Sequence, residues 1–363
     1  MGRAMPVTLE DISKATGFSV PTVSRVLSNS TYPVSSTTRQ RILDSARSLG
    51  YRPNLSARGL RTERTNTIGI LVDDIMSVFA PPLVRGIQDY FNEHAISCLV
   101  MNSDWRPDLE HRAIESLLSR SVDGIIFAEY SHLVVHDALS RSQIPHLFVH
   151  RLFAKSVQNS ILPDDYYGAS LAVRHLLSLG HRRIAYISGP TNWHSNQRRF
   201  IAYRDELARN DIEIDPMLIQ SGDWECDSGY VAVGQLLEHT ERPTAIFVAN
   251  DLMALGAIYR LQDAELSVPG DVAVIGYDDR DFAKIVKPSL TTVSLPVYEM
   301  GQIAAEKLLA QINGGINNFD ETLVKGTLYV RETCGADPAM RTQEQRTRVT
   351  DVRPTMFHKD PEF

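Results

Sequence analysis

The residues of this chain best suited to chemistry with a partner fall into two groups. One is compact. In the run Val20-Pro21-Thr22-Val23-Ser24-Arg25-Val26-Leu27, a helical period turns Val23, Val26 and Leu27 inward and leaves Val20, Pro21, Thr22, Ser24 and Arg25 outward. An outward arginine can bond a guanine edge through two donors, whereas Val20 and Pro21 have no side-chain donor and suit apolar contact, such as with a thymine methyl. The second group is dispersed. Phe79, Asp104, Arg151, Arg199, Asn250 and Asp278 follow apolar, strand-like runs, where open parallel sheets bind their ligands, and Trp224 precedes Ser228-Gly229-Tyr230. An arginine with carboxylates and an amide bonds vicinal hydroxyls through paired donors and acceptors, and Phe79 and Trp224 can cover the apolar face of a ring. The same groups would also hold a purine. Taken singly, each has an ordinary reading: Asp251 as a helix cap, Arg199 as surface charge, Phe79 and Trp224 as core.

Enzyme chemistry finds little to work with. The chain has no Gly-x-Ser-x-Gly elbow, no Gly-x-Gly-x-x-Gly after the first strand, no Walker loop and no His-Glu-x-x-His helix, so neither catalysis nor a cofactor is expected. His132 and His136 stand four apart without further ligands nearby, which favours an exposed helix start over a metal site. Cys98, Cys226 and Cys334 are odd in number and far apart, suggesting neither disulfides nor metal.

The compact group needs a small helical scaffold. Thr8 followed by Asp11 is a capping-box-like start, after which Leu9, Ile12 and Ala15 share a face. Gly17 ends that helix, Phe18 supplies bulk at the corner, and Ser19 caps the next, where Pro21 is tolerated in the first turn. Ser35 caps a third helix with Ile42, Ala46 and Leu49 at helical spacing, stopped by Gly50. Two helices across a glycine turn form a helix-turn-helix, whose second helix enters the major groove. Charge agrees: residues 1–64 hold ten Lys or Arg against four Asp or Glu, a balance of +6 in a chain at −7. A basic head on an acidic body fits phosphate contact at one end only.

The dispersed group needs a larger frame. From Thr67 onward, apolar β-rich runs at 68–72, 96–101, 124–127 and 146–149 alternate with amphipathic segments at 83–91, 109–118 and 133–139. A second set has strands at 184–187, 246–248 and 272–276 and helices at 169–179, 197–208, 230–237 and 253–261. This alternation predicts two parallel α/β halves enclosing a cleft. Crossings are expected near 161–164, 291–294 and 320–323, with a helix over 298–312 returning to the first half. The expected division is a head over 1–50, a hinge and linker over 51–66, a first lobe of 67–161 plus 292–322, a second of 162–291 plus 323–335, and a disordered tail over 336–363. No apolar run approaches membrane-spanning length and residues 1–6 contain no signal-peptide core, so a cytoplasmic protein is expected, beginning at Met1 or Met5.

Val7-Thr8-Leu9-Glu10-Asp11-Ile12, Thr22 to Leu27, Val34-Ser35 with Thr38-Arg39, and Leu49-Gly50-Tyr51-Arg52-Pro53-Asn54 closely resemble the head of the lactose repressor (LacI/GalR) family. The resemblance continues to about Gly335. It implies an N-terminal all-α helix-turn-helix head, with DNA contacts at Thr8, Val20, Pro21, Thr22, Ser24, Arg25, Asn54, Ala57 and Leu60. It also implies a periplasmic-binding-protein-like (type I) effector domain of two parallel-sheet subdomains, with Phe79, Asp104, Arg151, Arg199, Trp224, Asn250 and Asp278 at its effector positions. Tyr51 to Leu60 would be a hinge that becomes helical on operator DNA and wedges Leu60 into the minor groove. Gly59, costing roughly 1 kcal/mol against alanine in a helix, should keep that hinge unformed until DNA supplies contacts. His150 departs from the family, whose members commonly have aspartate there, and weakens the case for Asp104 and Arg151.

The resemblance thus implies a homodimeric regulator, more readily a repressor, that reads a near-palindromic operator and is controlled by a small carbohydrate in the cleft. A corepressor-dependent regulator with a purine-like ligand, or a sugar-binding transport protein on the same halves, are the alternatives. The missing signal peptide and the basic head count against the last. The tail lacks a leucine heptad, which points to a dimer over a coiled-coil tetramer.

Overall fold

The computed structural model describes residues 7–27, 33–51, 64–128, 142–150, 159–315 and 318–340. Its head comprises α1 (Leu9–Thr16), α2 (Val20–Leu27) and α3 (Ser36–Ser48). The capping box forms in full: Asp11 N–H donates to Thr8 Oγ1 (3.3 Å), and Thr8 N–H to the Asp11 carboxylate (2.8 Å). Gly17 follows at φ 77°, the left-handed conformation open to glycine. Ile12, Val23, Val26, Ile42 and Ala46 form the core.

Two expected core positions differ. Ala15 is exposed and Thr16 is buried instead, its hydroxyl bonded to the Ile12 carbonyl at 2.7 Å, because a four-residue step from Ile12 stays on the inward face. Leu49 is 39% exposed. It lies past the last turn of α3, and Tyr51 packs on the core from beyond it.

The body carries β1 (Thr67–Val72), α4 (Ala80–Glu93), β2 (Ser97–Asn102), α5 (Pro107–Ser119), β3 (Gly124–Ala128), β4 (His146–Val149) and β5 (Ser160–Pro163). It continues with α6 (Asp165–Ser178), β6 (Ile184–Ser188), α7 (His194–Ala208), β7 (Ile219–Ser221), α8 (Cys226–Leu237), β8 (Ala245–Val248), α9 (Asp251–Asp263) and β9 (Ala273–Asp278). β10 (Thr291–Ser294), α10 (Val297–Ile312), β11 (Thr322–Val324) and β12 (Leu328–Tyr329) complete it. The sheets run β11-β5-β4-β3-β1-β2 and β12-β10-β9-β8-β6-β7, parallel except for β10 with β12. Strands β3, β6 and β8 are buried throughout, as sheets covered on both faces require.

Hydropathy did not single out β5, β7, β10, β11 or β12. They are short, and four of them flank the crossings, where extended chain pairs with the sheet it is leaving or entering. The chain therefore crosses after β5, after β10 and between β11 and β12, slightly beyond each expected break. Helix α10 returns to the first lobe and lies on α4, where a Cβ on Gly86 would strike the Tyr298 carbonyl and one on Gly301 the Leu83 carbonyl. Glycine on both helices is what lets the backbones meet.

The base of the linker is tied to the first lobe. The Thr65 and Asn66 N–H groups donate to the Asp123 carboxylate (2.8 and 2.7 Å), and Arg64 donates to Ile312 O (2.7 Å) and Asn313 Oδ1 (2.8 Å) at the end of α10. The helix expected at 133–139 and the tail beyond residue 340 lie outside the described residues, whereas Pro338–Met340 forms one 3-10 turn. Among the described residues no helix is long and apolar enough to cross a membrane.

Candidate functional site

On α2, Pro21 and Arg25 are exposed, and Val20, Thr22 and Ser24 are half-buried. The Thr22 N–H reaches Ser19 Oγ at 3.4 Å and their hydroxyls lie 2.9 Å apart, so Ser19 holds the first turn as expected. Thr8 is exposed, with its hydroxyl committed to Asp11 at 2.8 Å. Asn54, Ala57, Gly59, Leu60, Arg151, His132 and His136 lie outside the described residues.

Between the two lobes lies a cavity of about 210 Å³. Ser77, Phe79, Trp105 and His150 line it from the first lobe. Trp193, Ser195, Arg199, Trp224, Asn250 and Asp278 line it from the second, and Leu295 from the crossing after β10. The fold thus brings together Phe79, Arg199, Trp224, Asn250 and Asp278 from distant parts of the chain. Asp104 is not among them. Its exposed carboxylate takes the Asn102 amide, and the left-handed turn at Asp104 (φ 52°) and Trp105 (φ 58°) presents the tryptophan to the cleft instead.

Arg199 is neither surface charge nor an open fork. It is 3% exposed, bonded through Nε to Asp165 Oδ1 at 2.8 Å and through Nη1 to the Ala249 carbonyl, and stacked 3.6 Å over the Tyr277 ring. Burial opposes its charge, but Asp165, Tyr277 and Asp278 outweigh burial and hold the guanidinium protonated. Asp278, 3.9 Å from Arg199, is pushed up to about 7 by burial, against the pull of Arg199 and Arg280 and with reinforcement from Asp165. His150 is pushed down to about 3 by burial and by the charges of Arg199 and His194, so a neutral imidazole faces the cleft.

Asn250 caps α9: its Oδ1 accepts from Met253 N–H (2.9 Å), and its Nδ2 donates to the Trp224 carbonyl (2.9 Å). The capping role considered for Asp251 therefore belongs to Asn250, which also buttresses Trp224. Asp251 is buried one residue further on and accepts from Thr292 Oγ1 (2.5 Å) and Arg280 N–H (2.8 Å). Burial, helped by the charge of Asp278, raises its pKa.

Trp224 packs edge-on against Trp193, centroids 5.9 Å apart, and its buried indole N–H meets no acceptor among the described residues. A buried donor left over in a cleft lining is open to an incoming acceptor. Backbone strain gathers around the same cleft: Trp105, His150, Trp224 and Asp278 have φ of 58°, 61°, 78° and 114°, a region costly for bulky side chains and tolerated where surrounding packing enforces it.

Beneath Trp224 lies Gly189, where a Cβ would collide with the indole ring. Gly189→Ala is expected to displace Trp224 and weaken ligand binding about tenfold, since the ring supplies both stacking and the buried donor. Titration calorimetry checks it; unchanged affinity would show that the ring is not needed. Ser77, Trp105, His150, Trp193 and Ser195 were not anticipated. A signal existed for two: Trp105 and Trp193 stand in polar surroundings just beyond strands, the position that identified Phe79.

Residues 8–54 match the family described as bacterial regulatory proteins, lacI family, and residues 173–334 match the periplasmic binding protein-like domain. Catabolite control protein A of Priestia megaterium is 36% identical over 311 residues, 85% of this chain and 93% of its own length. The ribose operon repressor of Escherichia coli K12 is 32% identical over 307 residues, 84% of this chain and 93% of its own. Among solved structures, the lac repressor dimer bound to operator and the anti-inducer ONPF superposes with a TM-score of 0.78 at 30% identity, over 92% of this chain and 100% of that one.

Proposed function

The chain belongs to the lacI family of bacterial regulatory proteins, and from that premise we propose that it is a homodimeric repressor released from, or fixed on, its operator by a carbohydrate in the interlobe cleft. It is a sequence-specific DNA-binding transcriptional regulator. We read it as a cytoplasmic, non-enzymatic protein, with Arg25 as the guanine-reading residue and Val20, Pro21, Thr22 and Ser24 beside it. Thr8, Asn54, Ala57 and Leu60 complete the proposed DNA contacts. Arg151 remains a proposed cleft residue beside those named above.

The observation that carries the effector reading is the cleft itself, with aromatic rings from both lobes and a buried arginine and a buried carboxylate from the second. A ligand touching both lobes stabilises one closure relative to others, and the difference in its affinity for the two closures is what operator binding can register. Hydroxyls, each donor and acceptor at once, suit the guanidinium, carboxylate, amide and imidazole present, and the related protein named for the ribose operon supports a sugar.

The test is selection of a near-palindromic site from random DNA, followed by binding at two salt concentrations with and without a sugar panel. Affinity should fall steeply with salt, as phosphate contact requires. Arg25→Ala should cost about 1–3 kcal/mol of operator preference, roughly tenfold to a hundredfold, while nonspecific DNA binding changes little. Failure to select any site, or an operator preference indifferent to Arg25, would sink the reading.

A further inference from the structure

Asn250 and Asp278 line the cleft, and each is followed in sequence by a carboxylate bonded elsewhere. Asp251, fully buried, accepts from Thr292 Oγ1 at 2.5 Å. Asp279 accepts from Arg331 Nη2 at 2.6 Å. Thr292 lies on β10, the strand from which the chain crosses to the first lobe, and Arg331 lies just beyond β12, the strand on which it has come back. We infer that these two pairs, Asp251 with Thr292 and Asp279 with Arg331, are the positioning contacts through which the state of the cleft reaches the crossings and so the first lobe; this rests on the effector-control reading above and adds the residues that carry the signal.

Adjacent residues share a rigid peptide plane, so a group that displaces Asn250 or Asp278 carries the next carboxylate with it. The two pairs meet on one side chain: the Thr292 hydroxyl donates to Asp251 and accepts from Asp279 N–H at 3.4 Å. Arg331 is 7% exposed and reaches β10 as well, its N–H donating to Thr291 Oγ1 (2.8 Å) and its Nη1 to the Leu290 carbonyl (2.7 Å). Beyond the pairs the crossings are strapped together. Ser294 N–H donates to the Thr327 carbonyl (2.8 Å) and Thr327 N–H to Ser294 Oγ (2.9 Å). Asp164 N–H, at the end of β5, donates to the Val324 carbonyl (2.8 Å). A displacement at the pairs thus meets all three crossings as one hydrogen-bonded piece, and buried bonds of this kind change between discrete arrangements because a half-broken one is costly.

The test needs no effector, because coupling is reciprocal: a cleft that acts on operator affinity is itself acted on by operator DNA. All three tryptophans of the chain line the cleft, so acrylamide quenching of the full-length protein's tryptophan fluorescence, with and without a saturating selected operator duplex, reads the cleft. In the wild type, operator should change the quenching. Thr292→Val keeps the side-chain shape and removes the hydroxyl; it should cut that change about threefold or more while the operator still binds. Thr292→Ser should retain the change. Arg331→Met should cut it through the second pair, and decides the matter if Thr292→Val does not fold. Tyr203→Phe, which removes a buried bond to the Ile184 carbonyl (2.8 Å) elsewhere in the second lobe, should leave it whole. A full operator-induced change in the folded Thr292 or Arg331 variant, or an equal loss in Tyr203→Phe, overturns the inference while effector control stands. No change in the wild type overturns both.

Discussion

Arg199→Met is expected to destabilise the protein by about 3–5 kcal/mol, because it leaves a buried carboxylate without its countercharge. The Asp165 side chain is 4% exposed and faces Arg199 at 2.8 Å, and the Ala249 carbonyl loses its donor as well. Urea unfolding measures the loss. Asp165→Asn combined with Arg199→Met should recover much of it, since the penalty lies in the stranded charge rather than in the missing attraction. A single-variant loss below about 1 kcal/mol would mean the site relaxes to admit water. The same arginine shapes the cleft by stacking on Tyr277 and flanking Asp278, so loss of effector response should accompany even partial rescue of stability.

Asp278→Asn is expected to separate stability from function. The folded-state pKa of Asp278 lies near 7 against 3.8 for an ordinary aspartate, so the folded form holds a proton that the unfolded chain has released. Stability from this group is therefore fully present below pH 3.8 and is lost as pH rises towards about 7, at up to roughly 1.4 kcal/mol per pH unit. The groups that face it are Arg199 from α7, Asp165 from α6, Arg280 beyond β9 and Asp251 from α9. The asparagine variant should gain on the wild type as pH rises through that window. Effector binding should show the opposite preference: hydroxyls donating to an ionised Asp278 make wild-type affinity fall by up to about tenfold per unit as pH drops below 7. In the variant that pH dependence should vanish. Parallel pH profiles of wild type and variant would remove Asp278 from both roles.

The head was legible in the sequence because its rules are local. A cap three residues from its partner, a glycine at a turn and valines on one helical face each declare themselves within eight residues. Ala15 and Leu49 failed for the complementary reason: a helical period alone does not say which of two adjacent residues sits inward, nor where the helix ends. The long buried strands were equally plain, whereas β5, β10 and β11 read as connections because they are short and lie where the chain changes lobes.

In the cleft, strand ends located the wall but not the partners. The Arg199–Asp165 pair joins residues on two different helices, and no spacing rule links them. Asn250, sought as a ligand group, does line the cleft, and its amide also caps α9 and bonds the Trp224 carbonyl. Asp104 and Trp105 are neighbours, and the sign of two backbone angles decides which one faces the cleft.

The ties at the linker base give the molecule a lever with an assigned fulcrum. Arg64, Thr65 and Asn66 are bonded to Asp123 and to the end of α10, and both of these belong to the first lobe. The bonds lie between the start of the body and the first lobe, so a shift of that lobe is expected to carry residues 64–66 with it. A small rotation at the cleft is expected to arrive as a sideways stroke at residues 64–66. Loosening Asp123 would leave the cleft intact and the head attached, yet let the stroke go to waste.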